Sequence, residues 1–323
     1  MIGSLNFLDA DESRIVMFCG KGGVGKTTSA AATALHFADK GTRTLLISTD
    51  PMPSISDILE CDVRGEVAAI EGIPKLDAVE LDYDIIVDLW KKKFGEEVYE
   101  VVSSFLPVDK DIIDYVAEAP GIDEEFALSY IYDLYKSGRY EIIVWDTAPA
   151  GGTLSLIKLQ DKFYRHLGEA AKLYSRVRIA LETLIKGRTK RDPLEIISEW
   201  EKLSKNVLSM LEDQKTKAIL VTIPEALGVN QTERVAKELE RYGIHICGLI
   251  VNFMLTGDAM EGSDFNRKRG EMQKVYFEKL AQKYSERIDI VPTPLLPFEV
   301  RGVDALRELE KLLFKKRLSL SLG

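Results

Sequence analysis

The sequence predicts an α/β fold: a mostly parallel sheet flanked by helices, with an inserted α-helical subdomain. Three observations predict it. A short apolar run from Arg14 to Cys19 feeds a glycine-rich stretch, Gly20 to Thr28, and an Ala-rich segment from Thr27 to Lys40 follows, with Gly41 as its stop. Two further apolar runs, Thr44 to Ser48 and Ile142 to Trp145, lead at once into an acidic residue, Asp50 and Asp146. Two long segments, about 82–137 and 154–213, space their apolar residues as helices do. The expectation is one domain over 1–323, with those two segments forming its helical subdomain.

The stretch Gly20-Lys21-Gly22-Gly23-Val24-Gly25-Lys26-Thr27-Thr28 fits the phosphate-loop pattern G-x-x-x-x-G-K-[ST]. Glycines let the backbone N–H groups from Gly22 to Thr28 close around phosphates, Lys26 reaches the β/γ oxygens, and Thr27 can hold Mg²⁺. Placed between a strand and a helix, the loop puts phosphates at a helix N-terminus. ATP and Mg²⁺ are therefore the expected cofactors.

Asp50 ends the second strand, on the edge of an open sheet where ligands bind, and is a candidate to orient or deprotonate an attacking water. It could equally cap the turn before Ser54 by a local hydrogen bond. Leu76 to Leu81 reads as a further strand. Asp146, ending the buried run Ile142 to Trp145, suits the water shell of Mg²⁺, and the glycines of Pro149 to Thr153 permit movement. Beyond the second helical segment come the strand Lys217 to Thr222, then Ile223-Pro224-Glu225, a helix from about Gln231 to Tyr242, and a strand Ile244 to Val251 ending at Asn252. The last strand is expected at Ile288 to Val291, before Pro294 and a C-terminal helix with a basic tail.

The apolar faces of the helical segments are those of a core, as a lone apolar face usually is, but an apolar groove between two such segments would suit an amphipathic or transmembrane helix. Composition narrows the classes. Of 323 residues, 46% are hydrophobic, enough for a full core, and 52 acidic against 43 basic residues give a net charge of −9. That balance argues against non-specific nucleic-acid binding. The N-terminal residues have no basic segment followed by an apolar stretch, so a cytoplasmic location is expected. Cys19, Cys61 and Cys247 are widely spaced and encode no disulfide framework; His36, His166 and His245 are scattered too.

Lys21, directly after the first glycine, resembles the deviant loop of the MinD, ParA, nitrogenase iron protein and arsenite-pump group. That resemblance implies that Lys21 crosses a dimer interface to a partner's nucleotide. Further motifs, in order along the chain, resemble the arsenite-pump ATPases and their relatives that target tail-anchored membrane proteins. These are Ser48-Thr49-Asp50-Pro51, Pro120-Gly121-Ile122-Asp123-Glu124-Glu125, Asp146-Thr147-Ala148-Pro149, Ile223-Pro224-Glu225, Val251-Asn252, and Pro294 to Gly302. The resemblance implies an ATP-hydrolysing homodimer that binds transmembrane helices and delivers them to membranes, with a possible membrane receptor and no nucleic-acid partner. It makes Asp50 and Lys21 catalytic, assigns Asp146 to the Mg²⁺ shell and Asn252 to adenine, and brings Glu225 to nucleotide across the dimer. Pro294 joins the base elements. An arsenite-efflux ATPase subunit and a MinD- or ParA-like positioning ATPase are the alternatives. Ser263 and Asn266 stand where the targeting members carry a zinc-binding cysteine pair before Met272-Gln273-Lys274, so no zinc is expected.

Overall fold

In the computed structural model the described residues are 3–50, 54–104, 106–119, 121–148, 191–261 and 263–315. The reading of Pro149 to Thr153, the helical reading of 154–190, Pro120 and the basic tail beyond Lys315 lie outside them. Two compact units emerge, one from Met1–Leu81, Ser137–Leu154 and Glu212–Gly323, the other from Asp82–Lys136 and Ser155–Leu211.

The first unit holds one sheet built from β1 (Ile15–Gly20), β2 (Thr44–Ser48), β3 (Ala68–Ala69), β4 (Leu76–Glu80), β5 (Ile142–Asp146), β6 (Thr216–Thr222), β7 (His245–Met254) and β8 (Asp289–Pro294). Their order is β3-β4-β2-β5-β1-β6-β7-β8. Every pairing is parallel except β3 with β4. β1, β2 and β5 are buried along their whole length, which is why they read as unbroken apolar runs rather than alternating ones. Their registers bring Ser48, Phe18 and Glu80 level with the strand-end Asp146: Phe18 and Ser48 each pair with Asp146, and Ser48 with Glu80. The polar residues that follow therefore emerge together at one edge.

Helix α1 (Lys26–Asp39) lies on this sheet through Ala30, Ala31, Ala32 and Ala34, whose small side chains admit a close approach. The C-terminal helix of the unit (Gly302–Phe314) covers α1, burying Leu306, Leu309 and Leu313. Each contributes about 1.5–3 kcal/mol by its burial. His36 of α1 ties the layers together: its Nδ1 is 2.6 Å from Glu310 Oε1, its Nε2 is 2.9 Å from Asp9 Oδ1, and its ring stacks on Phe314 at 3.5 Å.

Several boundaries differ from the sequence reading. The helix expected from Gln231 starts at Ala226, because Gly228, turn-like in sequence, lies in its first turn where a Cβ would sit 2.4 Å from Ile223 O. β7 runs past Asn252 to Met254, and β8 runs on to Pro294, its prolines tolerated on an edge strand. Cys247 is only partly buried; it lies at the register shift between β6 and β7, its thiol 3.5 Å from Ala218 O.

The second unit contains α3 (Tyr83–Ser103), α4 (Ile112–Ala117), α5 (Ile122–Ser137) and α6 (Pro193–Glu212). α2 is the short helix Ile55–Leu59 of the first unit. Asp82 caps α3 by accepting from Ile85 N at 2.9 Å. Arg191 and the Trp200 indole bond Glu97 at 2.9 and 2.7 Å, fastening α6 to α3, and Phe94 meets Phe126 edge-on. Between these helices is a cavity of about 220 Å³, lined by Trp90, Phe94, Val98, Val101, Phe126 and Trp200 among other apolar side chains. Glu125 also faces it.

Burial pushes the Glu125 carboxyl up to about 8, and no neighbouring charge is among the causes. The charged form is thus disfavoured in the folded unit relative to the unfolded chain. Stability from this group is fully present below the ordinary glutamate range and is lost as pH rises toward 8. Solvent reaches part of the side chain, which tempers the effect without changing its sign. The Glu125→Gln variant is expected to melt higher than wild type at pH 9 and to show a flatter decline between pH 5 and 9. Parallel melting curves for the two proteins across that range would contradict this.

Candidate nucleotide site

The phosphate loop leaves β1 at Gly20 and enters α1 at Lys26. Gly25 is the residue before the helix, with φ 92°, and a Cβ there would lie 2.3 Å from Asn252 Nδ2. Both backbone conformation and space therefore require glycine. Asn252 is 4% exposed and donates from Nδ2 to Val24 O at 3.0 Å, while Phe253 N donates to its Oδ1 at 3.0 Å. The end of β7 thus braces the loop from beneath.

Lys26 is nearly buried, its Nζ 3.4 Å from Lys21 O and 4.0 Å from Asp50 Oδ2. Lys21 is half-buried on the loop. Thr27 Oγ1 donates to Asp146 Oδ2 at 2.8 Å, and Ser48 Oγ donates to the same oxygen at 3.2 Å. Asp50 N donates to Ser48 Oγ at 3.2 Å, so the hydroxyl of Ser48 links the two acidic strand ends. Asp146 is fully buried, and its other oxygen, Oδ1, has no hydrogen-bond partner. Burial pushes this carboxyl up to about 6, against the pull of the Thr27 hydroxyl and the Lys26 ammonium and with the Asp50 charge adding to the rise. A buried carboxylate with one oxygen unsatisfied, beside a threonine hydroxyl, suits a hard cation and its water shell.

The structure brings Lys21, Gly22, Gly23, Val24, Gly25, Lys26, Thr27, Thr28, Asp50, Asp146 and Asn252 to one edge of the sheet. Pro294 ends β8 on the same edge, and Glu225 precedes the helix Ala226–Arg241 that follows β6. Glu225 does not cap that helix; its carboxylate pairs with Arg269. Ser263 accepts from Asn266 N at 3.1 Å and Asn266 Nδ2 donates to Ala259 O at 2.9 Å, so both serve the start of the helix Asp264–Tyr284. Sequence reading gives no role to Ser48, Ser54 or Glu80, although Ser48 opens the Ser48-Thr49-Asp50-Pro51 motif and lies two residues before Asp50.

A family profile described as anion-transporting ATPase matches residues 13–315. The chain belongs to that family. Similar proteins include ATPase get3 of Neurospora crassa, 32% identical over 96% of this chain and 93% of that protein. ATPase ASNA1 homolog 2 of Paramecium tetraurelia is 29% identical over 97% of each. A putative arsenical pump-driving ATPase 2 of Aquifex aeolicus is 29% identical over 93% of this chain and 99% of its own length. As a member of the anion-transporting ATPase family, this chain is an ATPase with a P-loop-type α/β fold. Among the described residues no helix is long and apolar enough to cross a membrane.

The bond from Asn252 to Val24 makes a prediction about this ATPase. Asn252→Ala removes this bond together with the one from Phe253 N; the bond to Val24, worth about 1 kcal/mol, is the one that bears on the loop, so nucleotide affinity falls roughly fivefold. Because the bond supports the loop, ATP, GTP and tripolyphosphate are expected to weaken alike. A loss confined to ATP, measured by competition with a fluorescent nucleotide, would instead assign Asn252 to the base.

Proposed function

We propose that this ATPase works as a homodimer that shields the transmembrane helices of tail-anchored membrane proteins and delivers them to a membrane, with a membrane receptor as a possible partner. The observation that carries the reading is the apolar cavity of the helical unit, lined by Trp90, Phe94, Val98, Val101, Phe126 and Trp200, in a chain whose other unit holds the nucleotide site. Exposed Leu106 and Tyr115 of the same unit extend its apolar surface. On this reading the segments about 82–137 and 154–213 form the client-binding subdomain of a single ATPase domain.

In the nucleotide site, Lys26 exchanges its contacts with Lys21 O and Asp50 for the β/γ-phosphate oxygens, and the loop amides from Gly22 to Thr28 hold the remainder. Lys21 acts on the partner's nucleotide, stabilising charge on the transferred phosphoryl. Thr27 and Asp146, the latter through water, hold Mg²⁺, which when bound neutralises charge on the phosphates. Asp50, fixed through Ser48, orients the attacking water and accepts its proton at a carboxylate oxygen. Pro294 flanks the base, Asn252 holds the loop through Val24 beside it, and Glu225 approaches the base from the partner. Ser263 and Asn266 offer no thiolate at the positions before Met272, and on this reading the dimer uses no zinc. A cytoplasmic location accompanies these roles.

The relatives named as arsenical pump-driving ATPases support a second reading, in which arsenite stimulates hydrolysis. Cys19 lies inside β1 with its thiol pushed up to about 12 by burial, and Cys247 lies in β7 with the same shift. Both are therefore poor thiolate donors. A rise in ATPase rate with added arsenite would restore this reading.

Lys21→Ala and Asp50→Asn are each expected to lower the rate of hydrolysis at least about a hundredfold while nucleotide still binds. Turnover at the wild-type rate in either variant would refute its assigned role. Asp50→Asn co-expressed with a small protein ending in one transmembrane helix is expected to purify as a soluble complex, lost when that helix is made polar. Purification of the ATPase alone, still binding ATP, would overturn the client reading.

A further inference from the structure

The hydrogen bonds around α2 (Ile55–Leu59) are arranged in an unusual way. Ser54 occupies the position preceding α2, where a serine hydroxyl ordinarily accepts from the first turn of its own helix. It makes no such bond. Its Oγ donates instead to Thr27 Oγ1 at 3.3 Å, and Thr27 in turn donates to Asp146. The capping is done by Glu80, from the end of β4. Glu80 Oε1 accepts from Ile55 N at 2.5 Å, and Oε2 accepts from Ser56 N at 3.4 Å and Ser56 Oγ at 2.6 Å.

Glu80 is 1% exposed, and among the described residues its carboxylate bonds no lysine or arginine. A carboxylate buried without a cation is costly unless its lone pairs are filled. Here two amides and a hydroxyl donate to it, engaging both oxygens, so the group is held in one geometry. β4 itself is fixed by its register with β2, Ser48 opposite Glu80, and by Glu80 N donating to Val63 O at 2.9 Å. The cap is thus borrowed from the sheet, and the hydroxyl it spares is turned toward the threonine of the phosphate loop.

We infer that Glu80 is a positioning residue for ATP hydrolysis, acting through Ser54: by capping α2 it releases the Ser54 hydroxyl to fix Thr27 on the cation side of the nucleotide. The inference rests on the placement of Mg²⁺ at Thr27 proposed above. Ser54 Oγ, Thr27 Oγ1 and Asp146 Oδ2 form a directed chain in which each hydroxyl proton is already committed. The remaining lone pair of Thr27 Oγ1 is then presented to the cation in one orientation. Losing Glu80 returns Ser54 to its own helix and frees the threonine rotor.

The test compares Glu80→Gln, Ser54→Ala, the double variant, and Ser56→Ala, which removes one of Glu80's donors while keeping the carboxylate. The readouts are kcat and KM for ATP, and the Mg²⁺ concentration that half-saturates the Mg²⁺-dependent part of fluorescent-ADP binding. Glu80→Gln and Ser54→Ala are each expected to lower kcat about tenfold with KM changed less than about threefold, and to raise the Mg²⁺ midpoint several-fold. The double variant is expected to be no worse than either single one, because the two act on one path. Ser56→Ala should shift both readouts the same way by less, and it carries the test with Ser54→Ala if Glu80→Gln does not fold.

Multiplying losses in the double variant, or wild-type kcat and Mg²⁺ midpoint in Ser54→Ala, would overturn the inference. Thr27→Ala separates that failure from failure of the underlying site. An unmoved Mg²⁺ midpoint in Thr27→Ala overturns the cation assignment and the inference with it; a moved midpoint there beside an unmoved Ser54→Ala overturns the inference alone.

Discussion

The position of Asp146 constrains everything else at the nucleotide site. It ends a strand buried on both faces, in register with Phe18 on one side and Ser48 on the other, so its carboxylate cannot reach bulk water. One oxygen is satisfied by Thr27 in the first turn of α1 and by Ser48 at the end of β2. The glycine loop, the strand end at Asp50 and the cap on α2 are then placed relative to that oxygen. Thr49 N donates to Asp146 O at 3.2 Å and the Trp145 indole to Thr49 Oγ1 at 2.9 Å, so backbone and side chain tie the two acidic junctions on both sides. A shift of one residue in the β2–β5 register would turn Ser48 to the other face and break this link.

Much of this arrangement was legible before any coordinates. Strands buried on both faces are unbroken apolar runs, so Ile142 to Trp145 and Thr44 to Ser48 were read within a residue of their ends, and each pointed at its acid. The phosphate loop announces itself because glycine, lysine and threonine are each required at a fixed offset. What could not be read is the set of bonds that cross between elements. Glu80 looks like one more charge after a strand, and only the β4–β2 register shows it facing the start of α2. Ser54 looks like an ordinary helix cap, and its sequence position suggests a bond it does not make. β3, two residues long, has no period to detect.

Asn252 illustrates a related limit. Sequence resemblance gives it a role toward the base, and its place at the end of β7 is compatible with that. Its amide, however, is engaged with the chain at both ends, Nδ2 on Val24 O and Oδ1 on Phe253 N. The next residue, Phe253, has φ 60° and is bracketed by Gln273, whose Nε2 donates to Phe253 O at 3.0 Å and whose Oε1 accepts from Leu255 N at 2.8 Å. A left-handed conformation at phenylalanine is costly and persists only where neighbours over-determine it. Gln273, from the Met272-Gln273-Lys274 segment, supplies that determination, which gives a physical reason for a motif otherwise known only by resemblance.

Among the described residues, the two carboxyls pushed furthest upward, Asp146 and Glu125, show that the same direction of shift can carry opposite meanings. Burial raises both. Around Asp146 that rise is opposed by two hydroxyl donors and a lysine ammonium, groups that act only on the charged form. Such a site is built to hold a charge that lacks its final partner. Around Glu125 the cavity wall is aliphatic and aromatic apart from Ser129, with no opposing group among the causes of its shift, so the surroundings favour the neutral acid up to about 8. A neutral carboxyl costs an apolar cavity far less than a charged one. The proposed cation at Asp146 would complete its carboxylate by electrostatics, whereas the surroundings of Glu125 favour the neutral acid, which suits the apolar cavity it faces.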